Sequence, residues 1–495
     1  MRINTDHPPL LPNAGSPAGV SLNKSLAVWH LILTSGVVTF IAFVLLDPNP
    51  DVIFAICAAI NWMVMLGSIY KLYQWELLLS PYAAVYIGPG WIVFYTWGNL
   101  GARILGDERY IANIGNLEFY PQVALLSTLG LLLYTYLVFG VFGSRMRLYK
   151  IRYQDLVWQP YQVISVLIIV ILQLVYLSSR YPFENGYFRD VTSIFDQWMA
   201  FSFYAFIILG YLISVSVFLK SSRKRSRIIA LMALGILIFV SVITRSRTFM
   251  FSGLIMVGTA WLILRPDHIR YLIPAAAISV PLIYGLGTVV KAQTESESIF
   301  ENAQIVISFD AESVRSNSEN ALLVDIGYRM AGFDLPAGIL LSQSTGRSTA
   351  NGMMLIGGFL QGLPSFLRPA VDLPGSERQV LELLYRGQGV PYTDATGIPL
   401  TSGIAEIGGI LGFLIYVPVA LFCVAAWQIA QYTPRLFLTF LIVGFGPSQG
   451  TRGLGDLVWE HLFSAVIKQG GFIFLSLVIL SVLLMPRHNP VQLPD

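Results

Sequence analysis

Apolar runs of about twenty residues recur along most of this chain and limit its fold more than any other feature. A helix needs roughly 20 predominantly apolar residues to cross the hydrocarbon core of a bilayer. The runs predict helices over 26–46, 52–70, 79–98, 120–142, 161–179, 197–219, 227–244, 248–264, 269–290, 405–430, 435–447 and 467–485. The eleventh is short and ends in glycines. Continuous apolar runs lack the alternation that barrel strands need, so the spans are helical. The expected fold is all-α: a polytopic bundle of about 12 transmembrane helices with one large outward loop domain containing short amphipathic helices. Composition agrees. Charged residues make up 12% of the chain, about half of the roughly 25% usual in soluble domains.

Orientation follows from Lys and Arg, which concentrate in cytoplasmic loops. With the N-terminus inside, Arg145, Arg147, Lys150 and Arg152 share a side with Lys220, Arg223, Lys224, Arg225 and Arg227. Both termini are then cytoplasmic. Residues 1–25 read as a disordered tail, 26–290 as helices one to nine, 405–485 as helices ten to twelve, and 486–495 as a second tail. Cys57 and Cys423 lie inside apolar runs, which argues against a disulfide framework, and no Cys/His spacing suits a metal. The net charge of +3 is too small to imply nucleic-acid binding.

Residues 291–404 break the rhythm as one long outer connection. A segment of that length is too long to be an idle loop. The parts "ALLVDIGYRMAGFDLPAGILLSQ" and "NGMMLIGGFLQGLPSFL" are apolar but interrupted by Gly, Pro and charge. They predict helices over 322–341 and 351–369 that lie on, or dip into, the outer leaflet as a lid. "SERQVLELLYRGQG" predicts a short amphipathic helix.

The cations of the outer side are arginines. Arg245 and Arg247 occupy the turn "TRSRT", Arg452 lies in "GFGPSQGTRGLGD", and 291–404 contains Arg315, Arg329, Arg347, Arg368, Arg378 and Arg386 beside the single Lys291. Arginine grips phosphate bidentately, whereas lysine acts as a point charge. The plain alternative for Arg245 and Arg247 is snorkelling to lipid headgroups. The glycines flanking Arg452 suit an anion-binding nest or simply a flexible turn.

"YTDATGIPLTSGIAEIGGILGF", residues 392–413, places Asp394 and Glu406 at the entry to the tenth helix. An acid about one turn inside an apolar helix faces a cavity or a partner, here a general-base role or an ion pair to an arginine. Gly408 and Gly412 have the small-xxx-small spacing of close helix packing. His461 is the histidine expected at the outer face, with a structural role as its alternative.

This layout resembles the O-antigen polymerases, the repeat-unit polymerases of bacterial envelopes, which are related in layout to O-antigen ligases. The resemblance rests on the many helices, the "TRSRT" turn, the large outer loop and "SGIAEIGGILGFL" opening the following helix. Residues 291–404 contain no His, which favours polymerase over ligase, since the ligases use a loop histidine. The resemblance implies transfer of a glycan from polyprenyl diphosphate to another lipid-linked unit at the outer face of the bacterial inner membrane. That transfer needs no metal and no cofactor. Partners would be the lipid-linked oligosaccharide as donor and acceptor, membrane lipids, a chain-length regulator and a flippase. Arg245, Arg247, Arg452, Arg329 and Arg347 would hold the departing diphosphate, whose charge grows in the transition state. Glu406, Asp394 and His461 are the candidate bases, and Tyr328, Tyr385 and Tyr392 the glycan contacts. Two competing readings are a ligase-type transferase and a carrier of anionic lipid-linked sugar. A carrier would favour an internal repeat, and none is seen between the two halves.

Overall fold

The computed structural model describes residues 22–47, 51–83, 96–97, 100, 119–143, 151–184, 187–188, 191, 193–244, 247–272, 274–275, 334–346, 349–363, 367, 399–445 and 463–488. In chain order the helices are α1 Leu22–Leu46, α2 Val52–Gln74, α3 Tyr120–Thr135, α4 Pro160–Ser178, α5 Ile194–Lys220, α6 Lys224–Ile243 and α7 Arg247–Leu264. They continue with α8 Asp334–Ser344, α9 Met353–Gly362, α10 Pro399–Ile407, α11 Tyr416–Ala430, α12 Pro434–Phe445, α13 Gly470–Ile479 and α14 Ser481–Leu484. A π-helical turn, Tyr136–Phe142, prolongs α3, and another, Ser464–Gln469, leads into α13. Two-residue strands form two small antiparallel pairs: β1 Leu156–Val157 with β4 Arg487–His488, and β2 Phe183–Glu184 with β3 Tyr187–Phe188.

The chain is therefore mostly helical. Among the described residues seven helices are long and apolar enough to cross a membrane, and three shorter apolar helices, over 253–264, 434–444 and 466–479, accompany them. Of the expected third and ninth spans only fragments, 81–83, 96–97, 269–272 and 274–275, are described as helical. Leu79 and Ser80 lie in a turn, and 84–95, 98, 273 and 276–290 lie outside the described residues.

Local chemistry sets the helix starts. Asp51 accepts a hydrogen bond from Phe54 N at 2.8 Å and caps α2. Ser193 accepts one from Asp196 N at 3.2 Å and caps α5. Pro160 opens α4, where a missing N–H costs nothing.

α5 is the centre of the bundle. Its apolar window is 94% buried, against 22% for the peripheral α1. A helix apolar all round must be buried or face lipid. Lipid is as apolar as leucine, so van der Waals fit decides which helices associate. Glycine supplies that fit. A Cβ on Gly210 would lie 2.9 Å from Leu237 of α6, and one on Gly253 of α7 2.6 Å from Tyr211 of α5.

The two ends of the bundle differ. At one end Lys220 Nζ donates to Gln154 O and Leu156 O at 2.6 and 2.9 Å. There Arg152 meets Glu76 at 2.7 Å, Ile151 N donates to Gln431, and β1 pairs with β4. This is the basic end, where the stretch just after Arg152 meets Lys220; Arg145, Arg147 and Lys150 lie outside the described residues. α1 runs antiparallel to α2, with Trp29 against Tyr70 and Phe43 against Phe54. The start of α1 and the strand after α14 thus lie at the basic end together. The opposite end carries the short helices α8, α9 and α10.

The tenth span departs from expectation. It is not one helix over 405–430. α10 ends at Ile407, Gly408 and Gly409 take φ of +92° and +46°, and the chain reverses into a 3-10 segment, Gly409–Ile415, before α11. Left-handed backbone is a conformation that glycine adopts readily. Residues 399–405, expected largely as loop, are instead helical and buried. The close contact is also not the expected Gly408/Gly412 face on another helix. A Cβ on Gly403 would sit 2.0 Å from Gly412 O, so the glycines join α10 to the segment that follows it.

Candidate functional site

Glu406 is the one sequence-selected site residue whose side chain is described. It stands in the last turn of α10, not inside a long apolar helix. Its carboxylate accepts hydrogen bonds from Gly352 N and from Leu355 N, the latter at 2.7 Å. Those amides open α9, where the first N–H groups have no helical partner. Glu406 therefore caps α9 from another element, and its negative charge meets the positive helix end. Both oxygens are engaged with backbone, and among the described residues neither meets an arginine.

The backbone around this contact is shaped to present its amides. Asn351 and Gly352 take φ of +48° and +90°. Ala350 N donates to Ala405 O at 2.6 Å, and the Thr349 hydroxyl donates to Asn351 Oδ1 at 2.8 Å. Gln343 of α8 ties the other side. Its Nε2 donates to Ile404 O at 2.8 Å, and its Oε1 accepts from Gly409 N at 3.0 Å. One glutamate and one glutamine thus clasp α8, α9 and the α10 hairpin into one unit.

The clasp is anchored on the bundle. A Cβ on Gly130 of α3 would lie 2.3 Å from the Tyr416 ring, which also meets Tyr134 edge-on at 6.4 Å. At its other edge α9 docks on Phe463: the rings of Phe359 and Phe463 are 5.5 Å apart, and a Cβ on Gly362 would meet the Phe463 backbone at 2.8 Å. Of the lid helices expected over 322–341 and 351–369, the described residues hold α8, Asp334–Ser344, and α9, Met353–Gly362; 322–333, 364–366 and 368–369 lie outside them.

A second polar site was missed by the sequence reading. Asp196, buried in the first turn of α5, accepts from the hydroxyls of Tyr176 at 2.7 Å and Tyr181 at 2.5 Å. Arg180 stacks 4.6 Å over the Tyr176 ring and approaches Asp196 at 4.0 Å. The hydrogen bond to Asp196 pushes the Tyr181 phenol above its ordinary value, since ionisation would forfeit it. An acid three residues after a capping serine at the head of an apolar run was the available signal.

Arg245, Arg452, Arg329, Arg347, Tyr328, Tyr385, Tyr392, Asp394 and His461 lie outside the described residues. So does the amphipathic helix expected around 376–389. Arg247 opens α7, but its side chain is not described. Among the described residues no three His, Cys, Asp or Glu side chains gather as a metal site would require. Cys57 and Cys423 are both buried and free. Compared with known proteins, the chain matches no family model, no curated sequence and no solved structure.

Proposed function

We propose that this protein is a membrane glycosyltransferase that polymerises oligosaccharide repeat units carried on polyprenyl diphosphate. It works without a metal, at the outer face of a bacterial inner membrane, with both chain ends cytoplasmic. The observation that carries the reading is the clasp: a folded cover of short helices at the end of the bundle opposite the basic loops. Positive residues stay cytoplasmic, which turns the clasp outward, towards the leaflet where flipped lipid-linked units wait. The arginine-rich composition of 291–404 supports a phosphate-facing role for the stretch to which the clasp belongs.

In this reading guanidinium groups, Arg245, Arg247, Arg452, Arg329 and Arg347, stabilise the charge growing on the departing diphosphate. Asp394 and His461 remain the bases for the acceptor hydroxyl. Glu406, with both oxygens on backbone amides, positions the cover instead, and Tyr328, Tyr385 and Tyr392 contact the glycan. The test is incubation of the purified protein with lipid-linked repeat units and separation of the products on a gel. A ladder of multiples is expected. Transfer of single units to a non-lipid-linked acceptor would point to the ligase class, and no transfer at all would refute the enzyme.

A further inference from the structure

Six cations stand exposed at the basic end and meet no acid among the described residues: Arg223, Lys224, Arg225, Arg227, Arg265 and Arg270. They differ from Lys220 and Arg152, which close on the protein's own groups. The first four lie between α5 and the opening turn of α6, and the other two flank the short turn Pro266–His268 that follows α7. Phe218 of α5 and Trp261 of α7 bring the two turns together, with ring centres 5.7 Å apart. Between Asp196 and Asp267 the sequence has no acid. The acids of this end have neighbours of their own: Glu76 holds Arg152, Asp267 lies 3.4 Å from His268, and Asp155 stands near Lys220.

Folding does not account for the cluster. Cations at a helix start oppose its dipole, yet α6 has no acid in its first turn and Arg223 at its head supplies no side-chain cap. Arg227 Nε donates to Ser221 O at 2.7 Å, and Arg270 lies 4.8 Å over the Tyr271 ring. Neither contact neutralises a charge. The plain alternative is a topology signal, which needs cations on one side but no bound partner.

The height of the cluster selects its partner. Ile228, Ile269 and Tyr271 are exposed among the cations. Tyrosine is enriched at the membrane–water boundary, where one end of the ring is apolar and the other wet. A lipid offers acyl chain to these side chains and phosphate to the cations, whereas an acidic protein segment in water matches only the charge. Five of the six cations are arginines, the side chain that grips phosphate bidentately.

We propose that the α5–α6 turn and the connection after α7 together bind the headgroup of an anionic phospholipid in the leaflet at the basic end. The inference requires only that the bundle spans a bilayer, so it stands apart from the transferase reading.

The experiment is lipid binding without turnover. Phosphatidylglycerol is titrated onto the purified full-length protein by native mass spectrometry, with phosphatidylcholine, which carries phosphate but no net charge, as the control. Each cation near a lipid surface contributes about 5-fold in binding. The double variant Arg225→Gln, Arg270→Gln, one residue from each turn, is therefore expected to weaken phosphatidylglycerol binding about 20-fold. Arg225→Lys, Arg270→Lys should stay within about 3-fold of the parent. Phosphatidylcholine binding should not move. Raising ammonium acetate from about 0.1 M to about 0.5 M should weaken phosphatidylglycerol binding to the parent protein, since salt screens exposed charge. Unchanged phosphatidylglycerol binding in the Gln double variant would overturn the proposal, and so would an equal fall for phosphatidylcholine. If that variant does not fold, Arg225→Gln alone, with an expected loss of about 5-fold, decides on the same criteria. A soluble poly-glutamate peptide that displaces phosphatidylglycerol at equal concentration would assign the surface to an acidic protein and overturn the lipid.

Discussion

The two ends of the bundle use polar side chains in opposite ways. At the basic end cations close on the protein's own groups: Lys220 on two carbonyls, Arg152 on Glu76. Those contacts join loops to loops through long helices and a strand pair, and they hold one arrangement. At the far end an anion and an amide, Glu406 and Gln343, close on backbone of short helices broken by left-handed turns. A short helix cannot sustain itself in isolation. The far end is therefore stable only through its clasp and its docking on Tyr416 and Phe463. The difference separates a scaffold from a cover, and each variant below asks whether that separation is real.

The largest effect is expected at Gly403. Alanine there would drive a Cβ into the Gly412 carbonyl, whose backbone cannot step aside as a flexible side chain could. Overpacking of this kind costs about 3 kcal/mol. Gly403→Ala should unfold the far end and abolish polymer while the long helices still insert. Unaltered protease resistance across 334–363 would show that the hairpin is loose.

Glu406→Ala removes the cap of α9 and leaves two amides unpaired, a loss of about 2 kcal/mol. Amide exchange should rise over 352–356 and remain unchanged over 151–157. A uniform rise across both regions would mean that the ends are not separable. Gln343→Ala should repeat the pattern more weakly, at about 1 kcal/mol, with exchange rising at Gly409.

The basic end should respond less. Arg152→Ala removes a pair in which both side chains are more than 40% exposed. Such surface pairs contribute about 0–1 kcal/mol. Thermal unfolding should barely move. A loss matching that of Glu406→Ala would reverse the comparison.

What the sequence made legible divides along the same line. The spans expected over 26–46, 52–70, 161–179, 197–219 and 227–244 match α1, α2, α4, α5 and α6 to within four residues at each end. Hydropathy over twenty residues is a sum, and a sum survives local detail. The far end depends on detail that no sum contains. Gly408 read as a small residue for packing, yet its φ and that of Gly409 break the helix. Glu406 read as an intramembrane acid in search of a proton or an arginine. Its partners are main-chain amides more than fifty residues upstream, which no side-chain pattern advertises.

The central claim is that the far end faces outward and covers the working site. Cys57 and Cys423 are both buried, so a single introduced cysteine reports with little background. Ile356→Cys on the 44% exposed position of α9 is treated in intact cells with a bulky membrane-impermeant maleimide, and polymer is read from the same cells. The account predicts labelling without permeabilisation and a loss of the polymer ladder in proportion to label. Labelling only after permeabilisation, or full labelling with an undiminished ladder, would contradict it.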